Sequence, residues 1–580
     1  MDATGKKSSI LTPIIIESPG GGLDTRCAIT RRGANDIVVR SGSPLSIDIS
    51  KSPDSQNVIF QGGLIRVRPC IWDKGVTFMT TLPSGVQKIE RITVNGTTPF
   101  NGYIAATKTN LYCKPLTSAT WTSLGALTNY TSFVQPFPQQ FKIFLQKVFY
   151  CECVNAVKYW DGNIAGSFAN LATAGAPQAA NFMEVFANRL FFAGIKTGGV
   201  AYPNSYCWTD YLTYNNFTTG SSGYDTIAED EDAFITGLRM MDDKLYLFTM
   251  NKIWVISEVG YPYYFTRKVF SEMVGCIAPG SIQKTQAGLV FLGSDRNVWC
   301  IPRGGGLPVI ISKEIFPLLT KYFDLNLNTV SNIWNAFVPI RWATAYVAPQ
   351  DGLYYLLAPQ EYSSGVWGYN SGVVWNYEEN NWSSIAYTVP FGALTAISSF
   401  SFPVMNSEGW ESALGGFGNG RTCIFGTLRA HSDSISLRAD NYYDITPPAK
   451  FVGANIDWYY TTKPFFFGGD TFKIESVEIN SGCLDRATGY SLYADVLVYN
   501  DEMDVEAEGA SSSSPNYSYP NVETIPISFN EPKACFRSTG RIFQIKLRPY
   551  RPGTTILDTR YSDISRILVK VLPRGERWAR

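Results

Sequence analysis

Apolar and polar positions along this chain fall into a short recurring unit. An apolar strand is followed by a tight polar turn, then by a second apolar strand carrying an aromatic. The clearest copies are Leu245–Ile256 (LYLFTMNKIWVI) and Leu289–Ile301 (LVFLGSDRNVWCI). Looser copies are Tyr103–Cys113, Val148–Trp160 and Leu64–Met79. Two apolar runs joined by a few residues such as Asn, Asp, Lys or Gly predict a β-hairpin. One hairpin cannot bury its own apolar faces, so repeated hairpins must stack to make a core.

From residue 46 to 435 this unit dominates, with hairpins predicted to begin near Leu64, Tyr103, Val148, Leu190, Leu245, Leu289, Tyr354 and Cys423. Their spacing, roughly 40–65 residues, suits one four-stranded blade each plus loop insertions. The fold predicted is all-β: a β-propeller of six to eight blades over 46–435. A large sandwich or a solenoid is the other architecture such hairpins can build. Residues 1–45 contain the run Gly20–Gly22 and little periodicity, which predicts an extended N-terminal arm. Its apolar clusters Ile14–Ile16 and Ile37–Val39 need another surface for burial, on this chain or on a neighbour. After 436 the pattern changes to alternating strands (Trp458–Phe467, Phe472–Ile479, Ser491–Tyr499, Ile542–Leu547 and Ile564–Val571), which predict a C-terminal β-sandwich over 436–580. Inside it, Asp501–Asn521 is acidic, then Ser/Pro-rich, and predicts a mobile surface loop. Ile315–Phe323 is one of the few stretches with helical spacing.

Composition supports the all-β reading. The 580 residues include 33 Tyr, 35 Phe, 14 Trp, 50 Gly and 32 Pro, which favours short strands and turns over helices. Lys+Arg and Asp+Glu both total 49, so the basic excess of a phosphate-gripping protein is missing. Near-neutrality removes self-repulsion and suits a subunit that packs against its own copies. Eleven cysteines (Cys27, Cys70, Cys113, Cys151, Cys153, Cys207, Cys276, Cys300, Cys423, Cys483 and Cys535) include no C-x-x-C pair. Several lie inside apolar strands, so buried free thiols of a reducing cytoplasm are expected. No secretion signal or membrane-length apolar run is seen, and the expected place of synthesis is the cytosol.

Chemistry is sparse. The single histidine, His431, lies in RAHSDS, so any Ser–His–Asp triad would rest on it alone. One histidine and the cysteine spacing leave no expected metal site, and no cofactor fingerprint appears around Gly304–Gly306. Of the carboxylates, Glu229–Asp232 form the densest run. Adjacent acids in a strand point to opposite faces, so the run reads as a solvated loop and not as a glycosidase pair. Glu408, Glu411 and Asp485 stand in loop-like stretches. Val366–Trp382 carries three Trp and two Tyr, and core packing is expected for them, with a glycan platform as the lesser reading. No catalytic, cofactor or metal residue is assigned. Familiar propeller signatures are also missing: Trp72-Asp73 and Trp160-Asp161 lack partner G-H motifs, Gly415-Gly416 stands alone, and Ser294–Trp299 reads as a turn.

Gly237–Gly260, Val274–Ser281 (VGCIAPGS) and the following LVFLGSDRNVWCIPRGG resemble the tail hub, or nozzle, proteins of short-tailed bacteriophages, also called tail accessory factors or packaged-DNA stabilisation proteins. The family rhythm matches at Asp232, Ile235–Leu238, Ile277–Ser281 and Gly304–Gly306, and further blocks agree at Asn188–Asp210 and Gly540–Arg548. The resemblance implies a structural virion protein with no enzymatic activity and no cofactor. It implies a homo-oligomeric ring, typically a hexamer, below the portal and adaptor proteins. Such a ring continues the DNA channel without sequence-specific binding, retains packaged genome, and anchors fibres or spikes. It has no membrane anchor and assembles in the host cytoplasm. The alternative expected from composition is a glycan-binding or glycan-degrading β-propeller.

Overall fold

The computed structural model describes residues 12–17, 19–24, 51–69, 71–73, 81–96, 98–128, 139–227, 234–323, 338–363, 366–387, 394–406, 409–417, 422–425, 439–444, 450–455, 458–466, 472–481, 492–499, 521–527, 533–540, 542–549 and 564–573. These residues are mostly β. Six consecutive four-stranded antiparallel sheets run along the middle of the chain, each built in simple sequence order. Their first strands are Val86–Val94, Gln140–Phe144, Ala179–Phe186, Ile235–Met241, Gln283–Lys284 and Thr344–Ala348. A seventh sheet follows with strands Leu394–Asn406, Gly409–Phe417 and Thr422–Phe425.

The hairpin at Leu245 shows why such sequences stack. Leu245 pairs with Ile256 and Leu247 with Trp254, and all four point into the cluster shared with the third sheet. The alternate residues Tyr246, Phe248, Ile253 and Val255 point the other way, into the cluster shared with the fifth sheet. Period-2 alternation with neighbours on both sides makes both faces apolar, which is why the strands read as continuous apolar runs. Each fully buried side chain of this size contributes about 1.5–3 kcal/mol. The same division recurs in the second sheet, where Val148 and Tyr150 face the first sheet and Phe149 and Cys151 face the third. The predicted hairpins at Tyr103, Val148, Leu190, Leu245, Leu289 and Tyr354 are the middle two strands of sheets one to six. Tight turns close the ladders; between Phe186 and Arg189 the turn places Ala187 and Asn188 at φ 48° and 55°, the left-handed pair of a two-residue hairpin.

The linkers between sheets are fitted closely. Val274–Ser281 joins the fourth sheet to the fifth, and a Cβ on Gly275 would lie 2.2 Å from the Thr249 carbonyl oxygen. Thr236 Oγ1 donates to the Cys276 carbonyl at 2.5 Å, the Leu292 amide donates to Ser281 Oγ at 2.9 Å, and Tyr354 Oη donates to the Ser281 carbonyl at 2.9 Å. One short segment thus bonds the fourth, fifth and sixth sheets. The expected helical stretch is a 3₁₀ turn, Lys313–Ile315, running into the helix Phe316–Tyr322, with Ile315 and Leu319 buried.

Two parts of the chain lie elsewhere than the hairpin pattern suggests. Thr12–Glu17, inside the expected arm, is a strand paired antiparallel with Ile564–Pro573, from Thr12↔Val571 to Glu17↔Arg566. The surface that Ile14–Ile16 needs is therefore on the same chain. The hairpin expected to begin at Leu64 is instead one whose second strand begins there: Leu64–Val67 pairs back with Val58–Gln61, and both belong to the seven-stranded sheet that also contains Phe472–Ser481 and Ile564–Pro573. Asp54–Gln56 joins a six-stranded sheet with Tyr459–Thr461, Ile542–Pro549, Leu492–Tyr499 and Asn521–Ile527. Local alternation makes a hairpin but does not choose its partner sheet, and here the partners come from the far end of the chain. Val477, Val496, Ile545 and Val569 of these two terminal sheets share one apolar cluster. That cluster continues into the fifth and sixth sheets through Val290, Tyr354, Trp375 and Trp382.

Ile71–Asp73 then leaves the terminal sheets and pairs with Thr422–Phe425, through Ile71↔Phe425 and Asp73↔Cys423. It thereby supplies the seventh sheet with its fourth strand, and the hairpin Ala439–Asp444/Lys450–Asn455 extends that sheet further. Leu394–Asn406 and Gly409–Phe417 of the seventh sheet lie against Val86–Val94 of the first.

Candidate functional site: an axial charge chain and an aromatic finger

The first strands of sheets one to four lie each against the next. Lys142, Glu184 and Arg239 are each the single charged residue of their strand, Glu90 shares its strand with Lys88 and Arg91, and the signs of Glu90, Lys142, Glu184 and Arg239 alternate. Lys142 Nζ donates to both carboxylate oxygens of Glu184 at 2.8 and 2.9 Å. Arg239 approaches the same carboxylate at 3.6 Å, and Lys88 pairs with Glu90 at 3.1 Å. Burial pushes the Lys142 amine below its ordinary value, and the Glu184 carboxylate opposes that shift. The Glu184 side chain is only 9% exposed, so it is a desolvated anion held between two cations. Glu184 thus ties the second, third and fourth sheets together, and Glu90 of the first acts on Lys142 through its charge.

The second feature is on the outside. In an antiparallel sheet the turns joining strands one to two and three to four emerge at the same end. At that end the structure exposes Leu116, Ile164, Tyr211, Leu212, Tyr261, Tyr263 and Leu307. The most prominent is the tip between Ile253–Gly260 and Tyr264–Ser271 in the fourth sheet. Its inner neighbour Lys244–Thr249 ends at the Leu245↔Ile256 pair, so residues 257–264 project beyond the sheet as a finger. Tyr261 is 85% exposed and Tyr263 78%.

The base of the finger is held firmly. Arg189, on the third sheet, donates from Nη1 to the Ala187 carbonyl at 2.9 Å and to Glu258 Oε1 at 3.1 Å. Its Nε and Nη2 donate to Ser221 Oγ at 3.2 and 3.0 Å. Its guanidinium also lies over the rings of Tyr211, Tyr264 and Phe265, at 5.2, 5.8 and 5.1 Å. Ser221 Oγ in turn donates to Asp210 Oδ1 at 2.6 Å, and hydrogen bonds from Ser221 and Tyr211 hold the Asp210 carboxyl below its usual range. Phe265 packs edge-on against Phe191 and Trp208. Arg267 bonds Asp225 at 3.2 Å and lies over Trp254, tying the outer strands of the third and fourth sheets together.

Between the outer strands of the first and second sheets lies an open cavity of about 260 Å³. Lys158, Ser167 and Asn170 give it a mostly polar surface, with Leu111 and Phe168 buried beneath. Lys158 Nζ donates to Asn170 Oδ1 at 2.7 Å, and burial lowers its pKa.

His431, Glu229–Asp232, Glu408, Asp485 and the loop 501–520 lie outside the described residues, and Glu411 falls in the strand Gly409–Phe417. In the aromatic stretch, Trp375 and Trp382 are buried and stacked, with ring centroids 6.2 Å apart. Trp382 Nε1 donates to the Ile311 carbonyl at 2.8 Å, as core packing requires. Ser294–Trp299 forms a turn in which Asp295 Oδ1 accepts from Trp299 Nε1 at 2.9 Å. Cys113, Cys151, Cys153, Cys207, Cys276, Cys300 and Cys535 are free thiols, and Cys113, Cys151, Cys207, Cys276 and Cys300 are buried. Also among the described residues, no cluster of His, Cys, Asp and Glu could hold a metal ion, and no helix is long and apolar enough to cross a membrane.

No protein-family model and no curated protein matches the chain. Among solved structures it is similar to the computationally designed Ika8 protein, at 10% identity over 60% of this chain and 98% of that one, with a TM-score of 0.33. It is also similar to the Pan2 WD40 domain of Neurospora crassa, at 11% identity over 60% of this chain and 90% of that one, with a TM-score of 0.32.

Proposed function

We propose that the seven stacked sheets are a closed seven-bladed β-propeller, that the two terminal sheets are a β-sandwich, and that the whole is a rigid wedge for building a ring. The observation that carries this reading is the strand Ile71–Asp73. It completes the last blade from the segment that leads into the first, while the seventh sheet packs on the first. A circle closed in this way has no free blade to slide, and the apolar cluster shared with the terminal sheets adds a second fixed layer. Rigidity of this kind suits a subunit that must hold its angle in a ring.

With the resemblance of Val274–Ser281 and its neighbours, the ring is that of a phage tail hub or nozzle. It sits in the virion below portal and adaptor, retains and passes the genome, anchors fibres or spikes, and catalyses nothing. DNA passes through the middle of the ring and not along the axis of any one propeller, where the Glu90–Lys142–Glu184–Arg239 chain stands. Zero net charge fits a channel that must not grip phosphates. Electron microscopy and mass measurement of the purified protein and of virions test the reading: rings in both are expected. A strictly monomeric protein absent from virions overturns it.

A glycan-binding propeller is the second reading, favoured by the exposed Tyr261 and Tyr263, whose rings could stack on sugars. Glycan binding that is lost in Tyr261→Ala, by a protein that forms no ring, selects this reading over the first.

A further inference from the structure

We propose that the Tyr261–Tyr263 finger, with Tyr211 and Leu212 beside it, dips into the interface of a lipid bilayer as a peripheral contact. The contact belongs to a single chain and does not depend on the ring.

Position supports it first. The turns joining strands three and four of the first five sheets emerge at one end, and each holds an exposed large apolar residue: Leu116, Ile164, Tyr211, Tyr263 and Leu307 in sheet order. The sixth sheet is the exception. Its turn carries Glu378 and Glu379, and Glu379 Oε1 accepts from the Gly62 amide of the terminal hairpin. The turn engaged within the chain is acidic, and the five others are tipped with apolar groups.

Reach supports it next. The turn Asp242–Asp243 closes at the Met241↔Lys244 pair, and the adjoining Leu245 lies opposite Ile256. Residues 257–261 then carry Tyr261 roughly 10 Å past those two carboxylates, at about 3.3 Å per residue. Interfacial apolar groups sink about 5–10 Å into the headgroup and acyl boundary, so the rings can leave water while the acids stay in it. Arg189, Glu258 and Phe265 fix the base of the finger, so little conformational freedom is lost on insertion.

Chemistry selects lipid among the surfaces such a tip can meet. No Lys, Arg, Asp or Glu stands in 211–220 or 259–264. Tyrosine joins an apolar ring to a hydroxyl that stays wet, the combination enriched where bilayer meets water. The nearby acids are engaged already: Glu258 accepts from Arg189, and Asp210 from Ser221, Tyr211 and Asn216. That leaves few acceptors to orient a sugar. The tips are convex and stand on separate turns, so a rigid protein would need a matching hollow for each, whereas lipid yields to any arrangement.

Flotation of the full-length chain with phosphatidylcholine vesicles tests this. Binding is expected without anionic lipid, and neither salt nor added phosphatidylglycerol should change it much, because the tip carries no cation. Tyr261→Ser/Tyr263→Ser is expected to weaken it at least about tenfold. Val200→Ser/Tyr202→Ser, at the opposite end of the third sheet and also exposed, should leave it unchanged. A wild type that binds no vesicle overturns the proposal, as does binding that the finger variant keeps or that requires anionic lipid. Finger-dependent binding of a glycan or of a second copy, by a chain that ignores vesicles, overturns it in favour of that occupant. Should the double variant lose its near-UV circular dichroism, Tyr263→Trp decides. Lipids brominated on their acyl chains are expected to quench its emission beyond the wild-type level, and no added quenching overturns the contact.

Discussion

Replacing Glu184 by Gln removes the anion between Lys142 and Arg239 and leaves two cations near each other. At about 3 Å and an effective dielectric constant near 20, the attraction removed is roughly 5–6 kcal/mol. Desolvation of both ions had already offset most of that, so the intact pair contributes little net stability. Removing one partner is different, because the other stays buried without compensation, typically at about 3–5 kcal/mol. Lys142 is 22% exposed and Arg239 31%, so both can draw some water, and the expected loss is nearer 2–3 kcal/mol. With a urea slope of about 5 kcal/mol/M for a chain of this size, the midpoint of the tryptophan-fluorescence transition should fall by about 0.5 M at pH 7. Lys142→Met/Glu184→Met removes both charges and should lie within about 1 kcal/mol of wild type. The pH dependence has a fixed sign. Burial already lowers the Lys142 pKa, and without Glu184 it falls further. Between that lowered value and the unfolded value near 10.4, the unfolded chain holds more protons, so the variant's stability rises with pH there. The gap to wild type should therefore narrow as pH rises towards about 10. An E184Q midpoint equal to wild type at pH 7, or a gap that widens with pH, would refute the reasoning.

Other consequences can be measured separately. Trp382→Ala removes a buried, stacked indole and its bond to the Ile311 carbonyl, and thermal unfolding should register a loss of about 3–5 kcal/mol. Gly275→Ala drives a methyl group into the Thr249–Met250 backbone and should cost about 3 kcal/mol, whereas Gly198→Ala, where a Cβ meets nothing, should cost about 1 kcal/mol or less. Burial raises the thiols of Cys207 and Cys276 to about 12, so brief alkylation at pH 8 followed by peptide mapping should leave them unlabelled while the exposed Cys535 reacts.

How legible each part was depends on how local its cause is. The middle hairpins at Tyr103, Val148, Leu190, Leu245, Leu289 and Tyr354 could be read because strand alternation and turn residues lie within a dozen positions. At Leu64 the expected hairpin is displaced: Leu64–Val67 pairs back with Val58–Gln61, and its sheet is set by pairing of Ile65 with Ile564, which no local pattern encodes. Ile71–Asp73 is three residues long, too short for any periodicity, although it completes a sheet. The charge chain was invisible for another reason. Lys142, Glu184 and Arg239 are each a single charge in a strand of their own, and the alternation of sign exists only once the sheets are stacked. In Val259–Tyr264 (VGYPYY) a turn can be read, but exposure of its rings follows from the shortness of the neighbouring strand, not from the turn itself. The burial of Trp375 and Trp382 was legible, because the hairpin needs large side chains on both faces.

The pairing of Thr12–Glu17 with Arg566–Val571 sets a condition on the order of folding. Thr12–Glu17 must wait for a partner made far later in the chain, and Ile71–Asp73 must wait for Thr422–Phe425. At about 5–20 residues per second, that is roughly half a minute to two minutes during which the early strands present unpaired edges. The middle sheets, each made of neighbouring strands, can form in turn as they emerge. Completion of the seventh sheet and of the seven-stranded terminal sheet is therefore a late event, and a chain stalled before residue 564 would hold a stack of formed sheets while Thr12–Glu17 has nowhere to bind.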